Sequence, residues 1–180
     1  EVLAALTTEM SGAAVRVVSG IRDSDFAAAI KSDWLLMAYC ESLCHRYEQN
    51  PGLDNYIREK TREMTRLHRY LQDKEGEDSV IEFADFFRGD KFDSIIEAVH
   101  AVTGKGNKIR TPSLAIKMGQ GLRKCAAIIM GRALRTNNDD QRIDVQNFLA
   151  LMDNEWQDQV AKHAHHSLHK NKFNKTQEAP

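Results

Sequence analysis

What is scarce in this sequence narrows its class before any motif is read. Its 3 cysteines, Cys40, Cys44 and Cys125, are too few and odd in number for a disulfide framework. They point instead to a reducing, intracellular compartment. Only 3 prolines and 10 glycines in 180 residues exclude a collagen-like or low-complexity chain. No apolar run nears the roughly 20 residues of a membrane span, and no signal-peptide pattern is visible, so no membrane contact is expected. Neither sign of charge dominates: 25 Lys+Arg against 26 Asp+Glu leaves −1. Strand alternation and solenoid repeats are missing too. So is any Ser/His/Asp or Cys/His frame, and the carboxylates form no acid–base motif, so no catalytic residue and no cofactor are expected.

What remains is helical. A helix is predicted from Glu1 to about Val18, weakened by Gly12, and a short one in "DSDFAAAIKSD". "SDWLLMAYCESLCHRYEQN" restarts at Ser32 or Asp33 and is stopped by "NPG". A third long helix spans about Leu53 to Asp73. Two shorter ones, Ser79–Phe87 and Lys91–Thr103, are separated by the turn Arg88-Gly89-Asp90. "GKGNKIR" reads as a flexible loop, after which Thr111 caps and Pro112 opens a helix running to about Arg135. "TNNDD" then caps a last helix reaching about His169. The expectation is an all-α, compact bundle of about seven helices with no sheet. It forms one domain over 1–169, followed by a polar tail over 170–180.

The charge is unevenly spread. From Asn107 onward there are 12 basic against 7 acidic residues, and before it 13 against 19, so the C-terminal part is mildly basic. On the third helix, at 100° per residue, Leu53, Ile57, Met64, Leu67 and Leu71 share one side. Arg58, Arg62, Arg66 and Arg69 share the opposite one, a stripe that could follow a phosphate backbone. The plain reading is ordinary surface pairing, with Glu59 three residues before Arg62 and Glu63 three before Arg66.

"KIRTPSLAIKMGQGLRKC" raises the sharpest question. Each glycine inside a helix costs about 1 kcal/mol relative to alanine, so Gly119 and Gly121 need a reason. Close helix packing is one, and the approach of a phosphate or partner to bare backbone is the other. The helix start at Thr111 and Ser113, with Lys108 and Arg110 before it, would suit an anion, and Arg123 and Lys124 lie further along.

"KHAHHSLHK" places His165 and His169 four apart, a zinc-compatible spacing. Neither cysteine nor carboxylate stands beside them to complete four ligands, so no metal site is expected. His163 continues the apolar stripe of Val145, Phe148, Met152 and Trp156. With Lys162, Lys170 and Lys172 the cluster also reads as a pH-sensitive basic patch. Cys40 and Cys44 lie on an apolar helix face beside His45 and read as core thiols.

Six phrases in order, "SDWLLMAYCESL", "YIREKTREMTRL", "DKFDSIIEAVHAVTG", "TPSLAIKMGQGLRKCA", "FLALMDNEWQDQV" and "LHKNKFNK", carry a resemblance. Over about Ile21 to Lys175 the chain resembles the N-terminal region of metazoan proteins related to crypton-type tyrosine recombinases. That resemblance implies a nuclear, core-binding-like helical domain that contacts DNA, and a linker beginning at "NKFNKTQEAP". The family's catalytic arginine, His-x-x-Arg element and nucleophilic tyrosine would belong to a separate domain. On that implication the arginine stripe and the Thr111 helix start join in one phosphate-gripping surface. The competing expectation is a protein-interaction module, its partner a second copy meeting the glycine helix or the last helix.

Overall fold

The computed structural model describes residues 10–48, 50–76, 81–105, 108–109 and 111–161. The all-α class holds, with seven α-helices among the described residues: α1 Gly12–Ser19, α2 Ser24–Ser32, α3 Trp34–Arg46, α4 Asp54–Glu75, α5 Phe92–Thr103, α6 Pro112–Thr136 and α7 Asp139–Asn154. Short polar side chains write several of the boundaries, because the first amides of a helix have no partner within it. Ser11 accepts from the Ala14 amide, Asp23 from Asp25 and Phe26, and Asn138 from Gln141. Asn137, left-handed at φ 51°, ends α6 one residue before Asn138 starts α7. Asparagine tolerates that region better than bulkier residues do.

Two helices form the frame. α4 contacts α1, α2, α3, α5 and α6, while α6 contacts α3, α4, α5 and α7. The predicted apolar side of α4 is buried through Ile57, Met64, Leu67 and Leu71. It meets Leu36 and Tyr39 of α3, Ile95 and Val99 of α5, and Leu122 and Cys125 of α6 in one core.

Four expectations change. α1 begins only at Gly12, and residues 1–9 lie outside the described set. Of the segment predicted as Ser79–Phe87, residues 79–80 lie outside the described set and the rest contributes one 3₁₀ turn, Phe83–Phe86, capped at its start by a reciprocal Glu82–Asp85 box. Phe87 then leaves the turn to pack edge-to-face on Phe83 at 5.2 Å and at a tilt on Phe148 at 5.0 Å. "GKGNKIR" holds a minimal antiparallel hairpin, β1 Gly104–Lys105 and β2 Lys108–Ile109, pairing Gly104 with Ile109 and Lys105 with Lys108. The last helix loses regular α geometry after Asn154 and continues as a π turn, Gln157–Ala161. That extra residue per turn coincides with Trp156 and Val160 both being buried.

One carboxylate joins distant parts of this frame. Asp33 is 4% exposed. Its Oδ1 accepts the Leu35 and Leu36 amides at 3.0 and 2.9 Å, and its Oδ2 accepts the Phe83 amide at 2.7 Å. The next residue, Trp34, donates its indole N–H to Glu82 at 2.9 Å. Losing an N-cap costs about 1 kcal/mol, and stranding a buried amide costs about 1–3 kcal/mol more. Asp33→Ala is therefore expected to lower unfolding free energy by about 2–4 kcal/mol in denaturant melts, with Asp33→Asn milder. A loss below about 0.5 kcal/mol would show that the contact is dispensable.

Candidate nucleic-acid interface

Around α4 the four arginines do share a side, but the fold uses them differently. Arg58 is half-buried: its Nε donates to Val17 O at 3.0 Å and its Nη1 to Asn55 at 2.5 Å. It thereby serves the carbonyl end of α1, where a cation is favoured. Gly20 makes room for it, since a Cβ there would fall 2.2 Å from Arg58 Nη2. Arg62 pairs with Glu59 at 2.9 Å, as helix spacing suggests. Glu63, by contrast, is buried and pairs with Lys60 at 3.1 Å, leaving Arg66 exposed. Arg69 lies 4.9 Å from the Phe26 ring centroid of α2. The open stripe therefore shrinks to Arg66 and parts of Arg62 and Arg69.

The expected union of this stripe with the α6 helix is not formed. Gly121 of α6 receives Met64 of α4: a Cβ at Gly121 would sit 2.8 Å from Met64 Sδ and Cε. Arg62, Arg66 and Arg69 stand about 140–160° around α4 from Met64. The two basic groups thus occupy opposite flanks of α4.

Gly119 and Gly121 are both explained by packing. A Cβ at Gly119 would be 2.7–2.9 Å from Trp156 ring atoms, so the indole lies directly on the backbone. Both positions are buried, which removes the glycine face as a surface for a phosphate or for a second copy.

At the start of α6, Thr111 is the N-cap residue but makes no side-chain cap. Its hydroxyl and its amide both donate to Thr103 O of α5, at 2.9 and 3.0 Å. Leu114 and Ala115 amides donate to Thr111 O. Thr111 is thereby committed to anchoring α6 on α5, and Ser113 is exposed beside it. Lys108 contributes backbone to β2, and Arg110 lies outside the described residues. So does the histidine cluster 163–169.

Sequence reading named Lys124 but missed the basic row it belongs to. The 25 residues of α6 contain Lys117, Arg123, Lys124, Arg132 and Arg135 and no carboxylate at all. Its buried positions, including Ala115, Met118, Leu122, Ala126 and Ile129, cover one half of the helix. Lys117, Lys124 and Arg135 fall within about 20° of one another on the other half, a row of about 27 Å. Among the described residues none of the three has an ion-pair partner; Arg135 donates to Gly131 O at 2.9 Å. Arg123 sits on the far edge, held by Asp153 at 2.6 Å and Met152 O at 3.2 Å. The missed signal was negative: a long helix without Asp or Glu.

The thiols stand apart from this surface. All three cysteines are buried, and burial pushes Cys40 up to about 12 and raises Cys44 and Cys125 as well. Among the described residues no three His, Cys, Asp or Glu gather closely enough to hold a metal ion. No family model, curated protein or solved structure matches the chain.

Two outcomes follow from the packing. Gly119→Ala gains about 1 kcal/mol of helix propensity but forces a rigid indole aside, so net destabilisation of about 1–3 kcal/mol is expected. Gly121→Ala meets the flexible end of Met64 and should stay within about 1 kcal/mol of the parent. Equal effects in thermal melts would contradict the assignment. Titration with a disulfide thiol reagent at pH 8 should find none of the 3 cysteines before denaturant is added and all of them after. Rapid reaction of the folded protein would mean the thiols are accessible.

Proposed function

We propose that the chain is a nucleic-acid-binding helical domain that grips phosphates without performing chemistry, and that α6 carries the grip. One observation supports this most: a 25-residue helix with five basic and no acidic side chains, whose outer row Lys117, Lys124 and Arg135 is unpaired among the described residues. Each lysine or arginine that neutralises a phosphate releases condensed counterions, which makes binding salt-dependent and largely blind to sequence. The −1 net charge is compatible with this, because binding answers to the local field of one face and not to the total. Arg66 and Arg69, on the other flank of α4, are then either a lesser contact or plain surface.

The resemblance to crypton-type recombinase relatives supports the same reading. On it the domain works in the nucleus as the DNA-holding part of a recombinase-like or domesticated-transposon protein, any cleavage being left to a separate portion. Self-assembly through the glycine helix loses its basis with Gly119 and Gly121 inside the core.

Fluorescence anisotropy of a labelled duplex, titrated at several salt concentrations, tests the proposal. Three phosphate contacts predict a log–log salt slope of about −2.7. The Lys117→Glu, Lys124→Glu double variant should lose at least about tenfold in affinity and flatten the slope by about 2. Absence of binding at low salt sinks the reading. Loss only in an Arg62→Glu, Arg66→Glu variant would move the grip to α4.

A further inference from the structure

Beside the basic row, and sharing Arg135 with it, runs a groove whose apolar floor the nucleic-acid reading does not use. It lies between α3 and α6 and has a volume of about 510 Å³. Its α3 wall presents Trp34, Met37, Ala38, Glu41, Ser42 and His45, which recur at the three- and four-residue steps of a single helix face. Its α6 wall does the same with Ile128, Arg132, Arg135 and Thr136. A ridge of this kind normally packs into another helix, and here two such ridges run side by side with a channel between them. The α3 wall runs from Trp34 to His45, 12 residues, about 16 Å or three helical turns.

The floor is apolar and adaptable. Met10, Trp34 and Ile128 are half-buried against the core, and Met37 is half-buried on α3. Unbranched methionines reshape readily around a partner's side chains. The rim has a sign. Among the described residues Glu41 is the one carboxylate lining the groove, and it is engaged already by the Ser11 amide at 2.5 Å and the Ser11 hydroxyl at 2.8 Å. Arg132 lies 4.0 Å from the Trp34 ring centroid, its charge uncompensated by any ion pair among the described residues. Arg135 is exposed on the same wall. Among the described residues the charges left open on the rim are therefore positive.

We infer that this groove docks an amphipathic helix of about three turns from a protein partner, with aliphatic anchors on one face and carboxylates along its flank. Anchors at i, i+4 and i+7 would enter between Met37 and Ile128, and the acidic flank would face Arg132 and Arg135. This site meets the phosphate row at Arg135, which lines both, and its occupant differs in kind.

Isothermal titration of the 180-residue chain with a synthetic 14-residue helical peptide tests it. The peptide carries leucines at three- and four-residue spacing and glutamates on the flank; a control replaces each glutamate with lysine. The acidic peptide should bind at least tenfold more tightly than the control. Ile128→Glu, checked for unchanged helicity by circular dichroism, should weaken it at least tenfold, and Arg135→Glu should reverse the charge preference. Several results overturn the inference: no binding of either peptide, preference for the lysine peptide, or equal affinity after Ile128→Glu. Binding that appears only when Leu3 and Leu6 are replaced by glutamate would assign the groove to the chain's own residues 1–9. A dimer in light scattering that Ile128→Glu dissolves would assign it to a second copy.

Discussion

A buried carboxylate at position 33 governs how the rest of the chain is arranged. Asp33 ends α2, begins α3 and seizes the backbone of Phe83, fifty residues away. A charged group out of water is costly unless hydrogen-bonded, and here three amides meet it. The segment it holds delivers Phe83, Phe86 and Phe87 into the core, where they meet Phe148 of α7 through Phe87. Trp34, fixed by the same turn, bridges Glu82 and Arg132 and so ties that loop to α6. One local capping choice thereby connects α3, the phenylalanine turn, α6 and α7.

The helices themselves were legible because their signals are local. Asp23, Asp33 and Asn138 announce starts, "NPG" and Asn137 announce ends, and the apolar face of α4 follows directly from periodicity. Elements whose form depends on distant partners were less legible. Nothing near Phe83 predicts a single 3₁₀ turn, because Asp33 shapes its entry and Phe148 receives its exit. The hairpin at Gly104–Ile109 is too short for any alternation to register. The break after Asn154 answers to Gly119, whose missing Cβ admits the Trp156 ring.

The surface was less legible than the core for the same reason. Arginines at helical spacing announce a stripe, but whether α1 and α2 cover it is a tertiary fact. Arg58 turns inward to Val17 and Arg69 lies on Phe26, so half of an inviting motif became structure. Arg123, read beside Lys124 in sequence, is on the opposite edge of α6 and tied to Asp153. The row Lys117, Lys124 and Arg135 carries the proposed function, and it was written in the sequence as an absence of acid over 25 residues.

The central claim is that nucleic acid lies along the outer face of α6. Its most direct test is backbone and side-chain NMR of the folded chain as duplex DNA is added at low salt. The account predicts that shifts concentrate on α6 between Ser113 and Arg135, on its exposed half, with α4 around Arg62 and Arg66 perturbed less. Spectra that do not change, or changes confined to α4, would contradict it.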